Sequence, residues 1–473
     1  MSVESFPPAA VAHADRETRV WWNLAAAALL LRFLIMPYGG FPVDIGTFRA
    51  WATGLAENGP AAFYGAGFAD YLPGYLYVLW AIGEINQVVS LSDQAFVFAL
   101  KLPAAVCDIA AAWVVFALAR RMGSRWALLL SASYLFNPGI VFNSAYWGQA
   151  DAVGALFALS GVALLGVASP LLTAVLLTVA ALIKPQTAPV MIPTGLYLAR
   201  ALARPVHGPP RWDLLLGAAA VAAAALVLII LPFGLSPLGL IGVLRVSLGV
   251  YPYSSVVAFN FWGATQGFWV GDDVRWLGVQ LYAYGTAAAA VALAVVAVGA
   301  LRRPTLRGTI LACSVALLAT FVLPTRIHER YLLTAIPFFA VAAAADRRMV
   351  GVYAVLSVVF ALNLLFAYTR PYVQTFALPG WLESTVFSTV GTRALSVAAV
   401  LAFLAALWIL FTQAREPVCE GNQQHHRGDS GEVGIGGPSG EEHRREPGQR
   451  TEQQGAARPS HPGQETGQGH NAH

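Results

Sequence analysis

The sequence predicts an all-α polytopic membrane protein with about twelve transmembrane helices, as judged from hydropathy and arginine placement. The chain is 57% hydrophobic and only 11% charged, whereas a soluble domain carries about a quarter charged residues. Apolar runs such as 214–231 and 287–301 approach or reach the roughly 20 residues that a helix needs to cross a bilayer. These runs lack the alternation of transmembrane barrel strands, so helices are the expected spanning elements.

The predicted spans divide the chain into a cytoplasmic N-terminus (1–19), a transmembrane domain (20–412) and a C-terminal tail (413–473). The tail is rich in Gly, Gln, His, Arg and Pro and has no apolar periodicity, which predicts a disordered cytoplasmic segment. We expect the spans to begin near residues 20, 102, 126, 152, 170, 187, 213, 277, 309, 331, 350 and 394.

Arginines are concentrated in every second loop between the predicted spans. Because positive residues favour the cytoplasmic side, these loops and both termini are expected in the cytoplasm, with the protein in the plasma (inner) membrane. The clusters are Arg16 and Arg19; Arg120, Arg121 and Arg125; Arg200, Arg204 and Arg211; Arg302, Arg303 and Arg307; Arg347 and Arg348; and Arg415.

The apolar segment 74–89 would move every later arginine cluster to the other side if it crossed the membrane. Its GEINQ stretch (83–87) interrupts the apolar run, and its Tyr and Trp residues are typical of the membrane interface. We therefore expect an interfacial or re-entrant helix inside a large first outer loop, 38–101. A second long outer loop then covers 233–276.

The remaining composition excludes several classes of function. The cysteines Cys107, Cys313 and Cys419 are far apart in the sequence, which indicates neither a disulfide framework nor a zinc site. The net charge of +4 is explained by arginines that set orientation, so no nucleic-acid partner is expected. No nucleotide-binding glycine motif occurs, and the adjacent Asp272 and Asp273 are not an Asp-x-Asp metal motif, so we expect no metal.

The first outer loop carries the first candidate site residues. Asp44 follows the first span and is succeeded by Arg49, and the stretch FADYLPGY supplies Asp70 and Tyr71. A helix N-cap for Asp44, and a cap or turn for Asp70, are the structural alternatives to a chemical role.

Two later outer segments add polar and aromatic residues. The sequence NSAYWGQAD contains Trp147, Gln149 and Asp151, and LIKPQ contains Lys184 and Gln186. Aromatic rings beside amides and carboxylates suit a sugar site, although Tyr and Trp are also typical of a membrane interface. Lys184 either snorkels to the interface or binds an anionic head group.

The densest polar cluster lies in PTRIHERYL, which supplies His328, Glu329 and Arg330. Anchoring of a helix end is the structural alternative. Two arginines and a histidine on the outer side oppose the positive-inside preference, however, so an anionic partner is expected, and we favour phosphate.

Five short elements occur in order along residues 20–412. They are Asp44 with Arg49 and Trp51; Asp70-Tyr71-Leu72-Pro73; Asn137-Pro138-Gly139; Lys184-Pro185-Gln186; and His328-Glu329-Arg330. This order resembles the GT-C superfamily of polyprenyl-phosphate-sugar-dependent glycosyltransferases. It is most similar to bacterial mannosyltransferases related to GPI mannosyltransferase II and to dolichyl-phosphate-glucose glucosyltransferases. Leu72 departs from the family's usual first proline.

The resemblance implies a GT-C-like fold and an inverting hexosyl transfer at the outer face, with mannose the expected sugar. Asp44 would act as the general base, and the other candidate residues would bind substrate. The donor would be a polyprenyl-phosphate sugar within the membrane lipid, without a cofactor or metal. The acceptor would be a glycan, glycolipid or protein. A retaining scheme that pairs Asp44 with Asp70 is ranked lower.

The competing function is a multi-span transporter or flippase of lipid-linked or small polar substrates. Transporters are expected to place ionisable residues near the membrane midplane and to show inverted repeats of broken helices. This sequence gathers its polar residues in loops on one side instead, which favours the enzyme.

Overall fold

The structure is a computed structural model that describes residues 8–167, 169–205, 208–372 and 377–413, with side chains from residue 16 onward. The start of the predicted N-terminal segment (1–7) and residues 414–473 of the predicted tail lie outside the described residues.

The described chain is almost entirely helical. Its α-helices are α1 (Pro8–Ile35), α2 (Pro42–Asn58), α3 (Pro73–Val89), α4 (Asp93–Arg121), α5 (Ala127–Leu135), α6 (Pro138–Val141), α7 (Asp151–Ala163), α8 (Pro170–Ile183), α9 (Met191–Ala203), α10 (Trp212–Ile230), α11 (Pro237–Gly249), α12 (Phe261–Thr265), α13 (Leu281–Arg302), α14 (Leu306–Val322), α15 (Ile336–Ala345), α16 (Met349–Ala367) and α17 (Thr389–Thr412).

Shorter segments connect these helices. The 3-10 turns are Pro60–Gly65, Leu164–Val167, Pro185–Val190, Leu231–Phe233 and Glu329–Thr334, and the π-helical turns are Phe142–Trp147, Tyr368–Tyr372 and Leu382–Val386. A small antiparallel pair joins β1 (Arg275–Trp276) to β2 (Val279–Gln280).

Helical segments lie at each predicted span position. Among the described residues, six helices are long and apolar enough to cross a membrane: Arg16–Ile35, Asp93–Arg121, Trp212–Phe233, Leu281–Arg302, Met349–Tyr372 and Thr389–Thr412. Shorter apolar helices of 10–17 residues are Asp151–Val167, Pro170–Ile183, Pro237–Gly249 and Leu306–Val322. The prediction of an all-α chain with membrane-crossing helices is therefore confirmed, and the count of twelve stays a prediction.

Local side chains explain where several helices begin. Ser92 accepts a hydrogen bond from the Ala95 amide at 3.3 Å and caps α4, which therefore starts well before the predicted position near residue 102. Thr305 caps α14 through the Gly308 amide at 3.1 Å. Each cap satisfies one of the amides that a helix start leaves without an intrahelical partner.

The first loop contains the two helices α2 and α3, packed side by side. The helix predicted over 74–89 is confirmed, and α3 continues through Gly83. A Cβ at Gly83 would lie 2.0 Å from the Ala52 carbonyl oxygen. Glycine is needed there so that the two helices can approach closely.

Arginine-bearing helix ends meet one another in the structure. Arg120 donates to the Thr18 hydroxyl at 3.0 Å, and Arg307 donates to the Met122 carbonyl at 2.9 Å. These contacts gather loops that are distant in sequence at one end of the bundle. Asp44 follows the other end of α1.

A charged pair lies inside the core of the bundle. Arg32 of α1 and Asp108 of α4 are 0% exposed and 3.3 Å apart. Asp108 also accepts from Ser144 at 2.5 Å and Tyr134 at 3.4 Å. Because buried charges need such partners, this cluster ties α1 to α4 and to the π-turn that carries Trp147.

Candidate active site

One cavity brings together candidate residues from four distant parts of the chain. It has a volume of about 90 Å³. Its lining includes the predicted residues Asp44, Asp70, Tyr71, Lys184, Gln186, His328 and Arg330. Asp44 comes shortly after α1, and Asp70 and Tyr71 come just before α3. The other four residues follow α8 or α14, so the site is built from helix junctions at one end of the bundle.

Asp44 is oriented by two donors, one at the end of the π-turn Phe142–Trp147 and one just after it. Its Oδ2 accepts from Trp147 Nε1 at 2.8 Å and from Gln149 Nε2 at 2.5 Å. The cap interpretation does not fit, because Phe41 occupies the N-cap of α2 and Asp44 lies in the first turn. Both donors bind the same oxygen, so Oδ1 is the atom available to a proton on a bound molecule.

Trp147 and Gln149 thus have a different place from the one predicted. They are 0% and 1% exposed and lie behind Asp44 rather than in the cavity lining. They are positioning residues for the carboxylate. A carboxylate held by two N–H donors keeps a fixed direction toward the cavity.

Arg49, which the resemblance gives as a substrate-binding residue, lies away from the cavity. It pairs with Asp93 at 2.6 Å, and its guanidinium lies 5.1 Å from the centre of the Phe96 ring. The reason is helix geometry: five residues of an α-helix turn the side chain by about 140° from Asp44.

Asp70 lines the same cavity as Asp44. The cap interpretation again does not fit, because Leu72 occupies the N-cap of α3 and no side chain bonds there. Burial raises the pKa of Asp70 above its usual 3.8, while Lys184 and Arg330 oppose that rise. A carboxylate kept in this half-buried position with raised pKa is typical of a functional cluster.

Lys184 is nearly enclosed and has two partners. Its Nζ lies 3.5 Å from Asp151 Oδ1 and donates to the Tyr71 hydroxyl at 2.8 Å. Asp151 is 0% exposed and lies behind the cavity. The Tyr71 hydroxyl in turn lies 3.5 Å from Gln149 Oε1. A chain of polar contacts therefore connects Lys184 with the group that holds Asp44.

Arg330 lines the cavity from the segment His328-Glu329-Arg330. Glu329, which is fully buried, accepts from Arg330 Nη1 at 3.2 Å and from the Tyr372 hydroxyl at 3.2 Å. Burial raises the pKa of Glu329 above its usual 4.5, and Arg330 opposes this. Glu329 therefore orients Arg330 from outside the cavity lining.

His328 does not act as a cation. Burial lowers its pKa well below the usual value, and the charges of Arg330 and Lys184 lower it further. Its ring is thus neutral at neutral pH and takes part through hydrogen bonds and ring contacts, with Tyr251 at 4.7 Å between centroids. The cationic set of the cavity lining is Lys184 and Arg330.

Two buried polar atoms in the lining residues have no protein partner in the described part of the chain. They are Arg330 Nε and Gln186 Oε1. Buried donors and acceptors are nearly always paired in folded proteins. An orphaned guanidinium N–H beside the cavity is suited to a ligand oxygen, and an orphaned amide oxygen is suited to a ligand hydroxyl.

The polar cavity continues into an apolar groove of about 570 Å³. The two share Pro185, Gln186, Ser247, Tyr251, His328 and Tyr331. Beyond these residues the groove is bordered by α13 and α14, including Ala289, Ala290, Leu293, Leu317 and Phe321. A ligand with a polar head and an apolar chain fits this arrangement.

Sequence reasoning missed the contribution of α11. Ser247 and Tyr251 line the cavity from the end of this helix, but lie in a predicted outer loop where no motif distinguishes them. Arg326, a neighbour of the His328 cluster, is paired with Asp272 at 2.7 Å instead of facing the polar cavity.

In the described residues, no group of three or more His, Cys, Asp or Glu side chains has the arrangement of a metal site. Comparison of the chain with known proteins gave no match to a family model and no match to a curated protein.

Proposed function

We propose that the chain is an inverting glycosyltransferase that acts at the outer face of the plasma membrane. It moves a hexose, with mannose the first sugar to test, from a polyprenyl-phosphate donor to an acceptor hydroxyl. The observation that carries this proposal is the joining of three features: Asp44, the cations Lys184 and Arg330, and the apolar groove that shares lining residues with their cavity.

Asp44 is the proposed general base. It takes the proton of the acceptor hydroxyl while that oxygen forms a bond to the anomeric carbon of the sugar. The bond from that carbon to the phosphate oxygen breaks at the same time, and its electron pair leaves with polyprenyl phosphate. Positioned bases contribute about 10²–10⁴-fold to such a reaction.

Lys184 and Arg330 are the proposed phosphate ligands. The leaving phosphate gains negative charge as the sugar departs, and preorganised donors in a partly water-excluded site stabilise such charge best. Asp151 and Glu329 hold the two cations from behind. The unpaired Nε of Arg330 is a further donor toward the phosphate.

The apolar groove accounts for the lipid part of the donor. It meets the polar cavity at His328 and Tyr331, next to the proposed phosphate ligands, and its walls include apolar side chains of α13 and α14. A soluble nucleotide sugar would leave this groove without an occupant. The proposed GT-C-like arrangement of twelve spans, with the arginine-rich end in the cytoplasm, puts the cavity at the outer surface.

The test uses purified full-length protein in lipid nanodiscs. It is incubated with radiolabelled polyprenyl-phosphate-mannose or polyprenyl-phosphate-glucose and an extract of the native cell envelope as acceptor. We expect the wild type to transfer label and Asp44→Asn to lose about 10²–10⁴-fold in kcat. Glu57→Gln, an exposed acid at the other end of α2, is the matched control and should keep wild-type activity.

Transfer that is unchanged in Asp44→Asn would remove Asp44 as the base. The transporter hypothesis would instead be supported if neither donor gave transfer and a labelled lipid crossed the bilayer of proteoliposomes.

A further inference from the structure

A second groove extends from the polar cavity along α2. It has a volume of about 410 Å³ and shares Thr47, Trp51 and Phe68 with the cavity. The groove continues past Gly54 to Asn58. No step of the proposed transfer uses it.

The sequence of α2 explains why the groove is aligned with Asp44. With 3.6 residues per turn, positions 44, 47, 51, 54 and 58 fall within an arc of about 80° on one face of the helix. The rise of 1.5 Å per residue separates Asp44 from Asn58 by about 21 Å. The face that presents the proposed base thus also forms one wall of an elongated groove.

Small side chains keep this groove open. On α2, a Cβ at Gly54 would meet no other atom within 4 Å. Across the groove, the segment after α2 contributes Ala62, Ala66 and Gly67. Larger residues at these positions would fill the space, so the composition of both walls preserves the groove.

The remaining lining combines aromatic surface with polar groups. Phe68 is 58% exposed, and Trp51 and Phe63 form the inner wall. Trp51 Nε1 donates to the Phe68 carbonyl at 3.1 Å, which fixes the loop that carries the exposed ring. Asn58 and Thr47 supply an amide and a hydroxyl. Aromatic faces with a few polar groups suit a saccharide better than a hydrocarbon chain.

We propose that this groove binds the acceptor, and that the acceptor is an oligosaccharide chain. Its terminal hydroxyl reaches Asp44, and the preceding sugar units lie along α2 toward Asn58. This inference rests on the proposed function and adds the substrate class of its second substrate. A bare lipid alcohol or a protein side chain would leave the groove without a role.

The test blocks the groove from each wall separately. Gly54→Leu acts from α2 and Ala62→Leu from the opposite segment. The matched control is Gly195→Leu, an exposed helical glycine of α9 whose Cβ would likewise meet no atom within 4 Å. The envelope extract is separated into oligosaccharide-bearing and sugar-free fractions, and each is offered with the labelled donor.

We expect label from the wild type in the oligosaccharide-bearing fraction. Both groove variants should lower kcat/KM for that fraction by roughly tenfold or more, because a filled subsite removes acceptor binding. The KM for the donor should stay at the wild-type value, and Gly195→Leu should match wild type in both. Unchanged thermal unfolding of each variant shows that the fold is intact.

Three outcomes overturn the inference. Transfer of label to the sugar-free fraction alone would show that the acceptor is not an oligosaccharide. Equal kcat/KM in Gly54→Leu, Ala62→Leu and Gly195→Leu would exclude it from acceptor binding while the proposed transfer stands. Absence of transfer by the wild type itself would remove the proposed function first, and the groove proposal with it.

Discussion

Arg32 and Asp108 form a buried ion pair, and we expect substitution of Asp108 to lower the free energy of unfolding more than substitution of Arg32. Both side chains are 0% exposed. Asp108→Leu leaves the guanidinium without its carboxylate, and arginine is not deprotonated in proteins. Its remaining acceptors are the carbonyls of Ala28 at 3.2 Å and Leu135 at 3.0 Å. Removal of one partner of a buried pair costs about 3–5 kcal/mol.

Arg32→Met has a smaller expected cost. The remaining carboxylate keeps its donors Ser144 and Tyr134, and a carboxyl without its cation can take up a proton. We expect a loss of about 1–3 kcal/mol, the desolvation penalty of one unsatisfied polar group. The double variant Arg32→Met/Asp108→Leu replaces the pair by apolar side chains, which is often nearly neutral, so it should unfold closer to wild type than Asp108→Leu does.

The assay is the free energy of unfolding, measured by titration with SDS in lipid bicelles for wild type, both single variants and the double variant. The expected order of stability is wild type and double variant above Arg32→Met, with Asp108→Leu lowest. Additive losses in the double variant, or equal losses below about 1 kcal/mol in both single variants, would refute the account of a coupled buried pair.

Two further substitutions test the candidate site. Trp147→Phe removes the 2.8 Å donor to Asp44. Hydrogen bonds to charged groups are worth about 1.5–3 kcal/mol, so kcat should fall about 10–100-fold at unchanged donor KM. Trp262→Phe, which loses an indole bond to the Leu323 carbonyl instead, should keep wild-type kcat, and equal kcat in the two variants would contradict the positioning role. Asp70 has a folded-state pKa raised by burial, so its contribution to stability is present below its unfolded pKa and is lost as pH rises through the folded value. The stability of Asp70→Asn relative to wild type should therefore be greater at pH 8 than at pH 3, as measured by thermal unfolding. The same variant should lose transfer activity in the label-transfer assay. A variant that is less stable at pH 8 would show that Lys184 and Arg330 outweigh burial.

Sequence reasoning located the helices because apolar length and arginine spacing are local signals. It also located seven of the residues that line the cavity, since each of them lies in a polar motif next to an apolar span. Arg49 was misplaced because its motif was considered without the rotation of α2, which turns it toward Asp93. The start of α4 was missed because the cap at Ser92 extends the helix beyond its apolar run.

Contacts between distant segments could not be predicted from the sequence. The pairing of Arg32 with Asp108 joins α1 to α4, and neither residue has a neighbour in the sequence that indicates the other. The same applies to Trp147 and Gln149, whose aromatic and amide groups suggested a sugar contact equally well. Only the path of the π-turn behind α2 makes them donors to Asp44.

The arrangement of charges explains how one small cavity can hold both the proposed base and the proposed phosphate site. Lys184 and Arg330 each have a buried carboxylate outside the lining, Asp151 and Glu329, which fixes the cation without occupying the cavity. The cations are therefore desolvated during folding rather than at donor binding, which is the condition for preorganised stabilisation of a leaving group. Asp44 is fixed in the same way, by the indole of Trp147 and the amide of Gln149, which are neutral donors. Because Arg49 pairs with Asp93, the proposed base keeps neutral hydrogen-bond donors, and the two cations of the lining remain at the proposed phosphate site.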